Sequence, residues 1–316
     1  MADHRIGLSY GGGVDVLVTG AAGFIGSALV PVLERDGHRV VRLTRETGAK
    51  GVDTLRWDPT EGRIDAAGLE GLGAVVHLAG AGIGDKRWTS SRKRAISESR
   101  TQGTLLLAAT LAGLAKKPAV LVSASAIGYY GPRGDEELGE DSPAGDDFLA
   151  GVCLAWEQAT APAEEAGIRV VKIRTGVVLS PRGGVLERML LPFKLGLGGR
   201  LGTGRQYMSW ISLDDEVGVI CHLIGRADVS GPVNLTAPNP VTNAEYTKTL
   251  GAVLRRPTAV PTPITPLRVL YGRELVDLLL LTGQRVVPKR LAASGYGFRH
   301  TELEPALRDL LGKPAA

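Results

Sequence analysis

Over the first half of the chain, short β-branched and aliphatic runs alternate with longer stretches whose apolar positions recur at helical spacing. Val14–Val18 reads as a buried strand, and Phe24–Arg35 as a helix with Ile25, Leu29, Val32 and Leu33 on one face. Strands are predicted at Arg39–Leu43, Asp53–Trp57 and Ala74–Leu78, then a long helix from about Arg92 to Leu114. A strand at Ala119–Val122, a helix over about Phe148–Ala166 and a strand at Arg169–Ile173 complete the pattern. This alternation predicts an α/β fold with a doubly wound parallel sheet and helices on both faces.

From Ser180 onward glycine and proline become dense, and Pro-rich loops such as Pro257–Pro266 separate the remaining helices. Residues 14–180 are therefore expected to form the sheet domain and 181–316 a smaller, mainly helical lobe over the strands' carboxyl ends. One return to the sheet is expected near Val233–Leu235, and residues 1–13 read as a flexible extension. A chain of 316 residues with 44% apolar side chains can bury a sizeable core, which excludes disorder as the main state.

Charge and cysteine content narrow the partners. The 37 basic and 33 acidic side chains leave +4, but the basic pairs are scattered and aromatics are only 5%, which speaks against nucleic acid. Cys153 and Cys221 offer neither a disulfide framework nor metal-ligand spacing. The apolar stretch Leu105–Ala115 is too short for a membrane span, and Met1–Gly13 lacks a signal-peptide core. The expectation is a cytoplasmic protein, monomer or homodimer, acting on a small molecule, with no metal.

The strongest chemical signal is residues 19–26, TGAAGFIG, placed between a predicted strand and a predicted helix. In that context Gly20 permits the tight turn, Gly23 admits the backbone to a pyrophosphate, and Gly26 lets helix and strand pack closely. The helix N-terminus adds free N–H groups and partial positive charge. The sheet is thus expected to be Rossmann-type, binding a dinucleotide. The position at the end of the second strand, where an NAD site would hold the ribose hydroxyls, carries no acid; the segment reads Val40-Val41-Arg42-Leu43-Thr44-Arg45, with Glu46 next. Arg45 can pair with a 2′-phosphate, with mid-strand Arg42 as the alternate, so NADP(H) is expected over NAD(H).

Taken together, TGAAGFIG, LAGAGI (78–83), SASAIGYYG (123–131), SPRGG (180–184), GLGGRLGTGRQYMSWI (196–211) and GPVNLTAPNPVTNAEY (231–246) resemble the atypical short-chain dehydrogenase/reductases. The closer resemblance is to the epimerase-family, nucleoside-diphosphate-sugar epimerase-like proteins. Their C-terminal domain is echoed by Gln284–Pro288 and by GYGFRH and ELEPALRDLL near the end. The resemblance implies that Gly20, Gly23, Phe24, Ile25 and Gly26 meet the pyrophosphate, and Thr44 and Arg45 the 2′-phosphate. It further implies that Leu78, Ala79 and Gly80 line the cofactor, that Arg100 reaches back toward it, and that Val178 meets the nicotinamide end.

The usual Tyr-x-x-x-Lys pair is missing. None of the seven tyrosines has a lysine four residues on, and its expected places fall near Leu149 and Cys153. What remains is Ser125, just past the predicted strand, with Tyr129 and Tyr130 beside it and Arg133 as the nearest downstream cation. Ala126 is the alternate to Ser125; Lys86, Arg87, Arg205, Asp214 and Asp215 are further polar candidates, the two acids reading better as a helix cap. The expected function is an NADP(H)-dependent oxidoreductase or epimerase-like enzyme of unknown substrate. Its rival is a non-catalytic NADP(H)-binding or redox-sensing module.

Overall fold

The computed structural model describes residues 13–45 and 53–314; the expected extension at 1–13 lies almost wholly outside them. An eight-stranded sheet runs through the centre. Its first six strands are β1 (Asp15–Thr19), β2 (Arg39–Thr44), β3 (Thr54–Asp58), β4 (Arg63–Ile64), β5 (Ala74–His77) and β6 (Val120–Ala126). The spatial order is Gly231–Leu235, Arg169–Thr175, β6, β5, β1, β2, β3, β4, with every pairing parallel except β3 with β4.

Alternation along the strands explains the two helical layers. Val16, Val18, Ala74, Val76, Val120 and Val122 pack on one face with helices α1 (Gly26–Arg35) and Leu213–Gly225. Leu17, Val75 and Leu121 pack on the other with α2 (Ser90–Gly113) and Ala163. Each fully buried aliphatic side chain contributes about 1.5–3 kcal/mol. Slipping any strand by one residue would exchange the two faces, so the register is strongly specified.

Three element boundaries differ from the sequence expectation. Helix α1 starts at Gly26, leaving Gly23, Phe24 and Ile25 in the turn. The helix expected over Phe148–Ala166 is two, α3 (Phe148–Gln158) and α4 (Ala161–Glu165), because Pro162 lacks an N–H and sits at the start of a new helix. Strand β6 reaches Ala126, so Ser125 lies inside the strand and pairs with Arg174 rather than following it.

Beyond residue 180 the chain contributes to one of the two helical layers and forms a second core. Gly231–Leu235 is the expected return, at the sheet's edge. Leu186, Trp210, Tyr246, Leu250 and Leu307 form the separate core, with α5 (Gly184–Lys194), α6 (Leu213–Gly225, capped by Ser212) and α7 (Asn243–Leu254) as neighbouring elements. The cap at α6 is Ser212, while Asp215 inside the first turn accepts its hydroxyl and the N–H groups of Arg299 and His300. A further helical pair, α8 (Ile264–Tyr271) and α9 (Arg273–Leu280), packs on Trp88 and the start of α3. Among the described residues no helix is long and apolar enough to cross a membrane.

Candidate cofactor-binding and active site

The chain leaves β1 for β2 and β3 on one side, then crosses to β5 and β6 on the other, so a crevice opens between β1 and β5. A cleft of about 910 Å³ occupies that switch point. Gly20–Gly23, Thr44, Arg45, Ala79 and Gly80 line it, joined by Trp57, Asp58, Thr60, Glu98, Ser99 and Gln102. Gly20 has φ +67°, and a Cβ on Gly26 would stand 2.2 Å from the Gly20 carbonyl oxygen, which no side chain survives. A Cβ on Gly23 would meet only that oxygen, at 3.1 Å, and any branch beyond it would fill the cradle. In the first turn of α1 the Ser27 and Ala28 N–H groups bond the Gly23 and Ile25 carbonyls, while the helix N-terminus adds partial positive charge. A pyrophosphate fits this arrangement.

At the end of β2, Arg45 is exposed into the cleft and makes no hydrogen bond or ion pair among the described residues. Arg42 also borders it, but its guanidinium is held 3.1 Å from Glu34. Asp58, at the end of β3, is spent on its own turn, accepting from the Thr60 N–H and hydroxyl. That Asp-Pro-Thr turn was readable from sequence. Phe24 stands apart from the cleft walls, its ring against Gly183 and Gly184, beside the Val178 carbonyl. Arg100 packs its guanidinium against Gly80, stacks 4.9 Å from Trp156 and bonds the Ile96 carbonyl.

Beneath the cleft floor lies a buried chain of hydrogen bonds. Thr19 Oγ1 accepts from the N–H groups of Leu78 and Ala79, at 3.0 and 3.1 Å, so its hydrogen goes to His77 Nδ1, 2.8 Å away. His77 Nε2–H then donates to Thr104 Oγ1, which also receives Trp156 Nε1–H. Burial pushes the His77 pKa down to about 4, keeping the ring neutral and the tautomer fixed. One network thus ties β1, the β5 loop, α2 and α3 together.

At the end of β6 a second network holds the candidate catalytic residues. Ser125 donates its hydroxyl to Glu157, 2.7 Å away, and Glu157 is gripped at both oxygens by Arg174, at 2.8 and 2.9 Å. The pair is almost wholly enclosed. Arg174 also donates to the Tyr130 hydroxyl and the Glu140 carbonyl, and its guanidinium lies 3.4 Å from the Tyr129 ring centre. Tyr130 donates to Asn234 Oδ1 at 2.6 Å, is fully buried, and burial pushes its pKa up to about 12. It is unsuited to act as a base near neutrality. Arg133, expected as the activating cation, is instead clamped by Glu136 within its own turn. Leu149 and Cys153 flank Gly128, and burial pushes the Cys153 thiol up to about 12.

The comparisons with known proteins follow this geometry. Residues 16–235 match the model of the NAD dependent epimerase/dehydratase family, and residues 262–310 match a domain of unknown function, DUF1731. The chain belongs to the NAD dependent epimerase/dehydratase family. Among relatives of this family, the epimerase family protein Mb2239 of Mycobacterium bovis is 45% identical over 292 residues, covering 92% of this chain and 96% of that one. The human epimerase family protein SDR39U1, solved with NADPH, is 37% identical with a TM-score of 0.87, over 94% of this chain and 99% of that one. A nucleoside-diphosphate sugar epimerase from Corynebacterium glutamicum is 40% identical with a TM-score of 0.78; the match covers 95% of this chain and 58% of that one.

Within this epimerase-family frame, Glu157, Arg174, His77 and Thr104 escaped sequence reasoning, since their partners lie 17 to 58 residues away. The neutrality of His77 has a measurable consequence. Unfolded histidine takes up a proton below about 6.5, whereas folded His77 resists until about 4. Its contribution is therefore complete above pH ~6.5 and lost as pH falls toward 4, to the extent of roughly 3 kcal/mol. His300 works in the opposite sense: burial lowers its pKa, but hydrogen bonds that its ring donates to the Asp215 and Asp309 carboxylates outweigh that and raise it. Urea midpoints at pH 7 and 4.5 for wild type and His77→Gln isolate the first effect, with the variant losing less stability on acidification.

Proposed function

We propose that this protein is an NADP(H)-dependent oxidoreductase of the epimerase family whose proton chemistry does not use a Tyr–Lys pair. Arg45 carries the cofactor reading: exposed into the cleft at the end of β2, it stands where an NAD site needs an acid. The human relative solved with NADPH supports the same assignment. Gly20, Gly23 and Gly26 shape the turn that receives the pyrophosphate, and Thr44 borders the ribose side. Ala79 and Gly80 form the opposite wall, Gly80 backed by Arg100. When bound, NADPH supplies a hydride.

Proton handling falls to the end of β6. Because the Ser125 hydrogen is committed to Glu157, Ser125 acts as an acceptor toward a substrate hydroxyl and cannot donate to a carbonyl. Tyr129 is the remaining phenol, half-buried against Arg174. The enclosure of Tyr130 and the aliphatic Leu149 favour one rival reading, a binding module that holds NADP(H) without turnover. Oxidation of bound NADPH in the presence of a pool of carbonyl compounds, followed at the nicotinamide absorbance, separates the two.

Calorimetric titration should give NADPH at least tenfold tighter than NADH, since a charged hydrogen bond is worth ~1.5–3 kcal/mol and 1.4 kcal/mol is tenfold. Arg45→Ala should erase that preference; an unchanged ratio overturns the assignment. Gly23→Val should abolish NADPH binding, read by its fluorescence, with only a few degrees lost in Tm, because the added carbons enter the cleft rather than the core. Retained binding would place the pyrophosphate elsewhere. UDP-glucose and UDP-galactose should not interconvert detectably on the loaded protein, since a positioned base supplies ~10²–10⁴-fold and no Tyr–Lys pair exists here. Product chromatography decides, and interconversion lost in Tyr129→Phe would identify Tyr129 as the base.

A further inference from the structure

Leu191 and Leu195 lie four residues apart on one side of the end of α5, where the chain turns through Gly196, at φ +75°, to Leu197. These leucines are 66%, 64% and 71% exposed, and Val260 is 77% exposed. The Val260 loop is tied to the same turn. Arg256 Nε–H donates to the Lys194 carbonyl at 2.8 Å, and the Thr262 N–H and hydroxyl donate to the Arg200 and Gly199 carbonyls. The four aliphatic side chains therefore belong to one surface rather than being scattered singly.

The charge around them has one sign. No acid occurs between Met189 and Leu213 or between Tyr246 and Arg273. Lys194, Arg200, Arg255 and Arg256 are exposed and form no ion pair among the described residues. Arg188 is instead paired with Asp85, and Arg268 and Arg273 with Asp277. Glu187, the nearest acid along α5, lies two turns before Leu195, about 12 Å away and beyond a Debye length at physiological salt. Arg255 adds a separate observation. It ends α7 at φ 54°, the only non-glycine residue with positive φ among the described residues. Glycine is favoured at that position, and no bond of the Arg255 guanidinium within the described residues offsets the strain.

We infer that this face, from the end of α5 to the loop around Val260, docks on an anionic lipid surface. The aliphatic tips enter the headgroup boundary, and the four uncompensated cations meet lipid phosphates and carboxylates. Leucine and valine flanked by lysine and arginine suit that boundary. The core of a protein–protein interface is instead enriched in aromatic residues and poor in lysine, and Phe193, the aromatic residue of this turn, is buried.

Co-sedimentation of the full chain with phosphatidylcholine vesicles, with and without phosphatidylserine, tests this. Binding is expected only where phosphatidylserine is present, and it should be much weaker at ~1 M than at ~0.1 M salt. Arg255→Gly should weaken binding about fivefold, and Arg255→Gly with Lys194→Gln about 25-fold, since each basic residue near an anionic surface contributes about fivefold. Leu197→Asn should weaken it at least tenfold, while Leu197→Met retains it. Arg255→Gly should keep or raise the Tm, because it relieves the left-handed residue, so its loss of binding cannot come from misfolding. Absence of binding to phosphatidylserine vesicles, equal binding to vesicles without it, or wild-type affinity in both Arg255→Gly and Leu197→Asn overturns the inference. A dimer in analytical ultracentrifugation that Leu197→Asn dissolves would assign the face to a second copy of the chain and overturn it as well.

Discussion

The Arg174–Glu157 pair is the interaction on which the site end of the molecule depends. It joins the strand Arg169–Thr175 to α3, and through Ser125, Tyr130 and the Glu140 carbonyl it reaches β6, the turn after it and the loop beyond. Removing two charges from water costs several kcal/mol each, which only complete hydrogen bonding repays. Arg174 meets that condition: burial works against its charge, but bonds to Glu157 raise its pKa further. Neither partner can be lost alone without leaving an uncompensated buried charge.

The same logic extends into the second lobe. Tyr130 passes the network to Asn234 on the edge strand, whose backbone N–H donates to Glu140. Glu140 also receives the Arg290 N–H, and Asn234 donates to the Val287 carbonyl. Lobe orientation is therefore set by buried polar bonds, which are directional, as well as by the apolar contact of α8 and α9. On the cofactor side the His77–Thr19–Thr104–Trp156 chain does the equivalent work beneath the cleft floor. A rigid floor keeps the Gly20 turn in its left-handed conformation while the cleft stays open above it.

What was legible in the sequence is what local stereochemistry demands. Gly20 and Gly26 are required by a positive φ and by a close approach inside an eight-residue turn, so the motif carries its own explanation. Strand periodicity likewise anticipated both faces of the sheet, because alternation is a property of neighbours. The polar networks are different. Ser125 and Glu157 are 32 residues apart, Tyr130 and Asn234 are 104 apart, and nothing in either segment announces the other. Arg133 looked like the cation for the tyrosines because it was near in sequence. Arg174 holds that place because parallel register sets it directly beside Ser125 on the next strand.

Under the proposed function, the face of α3 sets the chemistry apart from that of a Tyr–Lys enzyme. Leu149, Cys153 and Glu157 follow at four-residue spacing, so they share one side of the helix. Where an ammonium would stabilise a phenolate, this face carries a neutral thiol and, one turn on, a carboxylate. The compensating positive charge arrives from the adjacent strand, already saturated by Glu157 and by the Tyr130 oxygen. The charge and hydrogen bond of Arg174 act to lower the Tyr130 pKa, but burial outweighs them and drives it upward. Tyr129 meets Arg174 through its ring face, an attraction between cation and π-cloud that leaves the hydroxyl unassisted. Abstracting a proton from an unactivated sugar hydroxyl is thus the step this arrangement serves worst. Under the proposed function, reduction of a carbonyl asks instead for proton delivery, the part left to the Tyr129 hydroxyl.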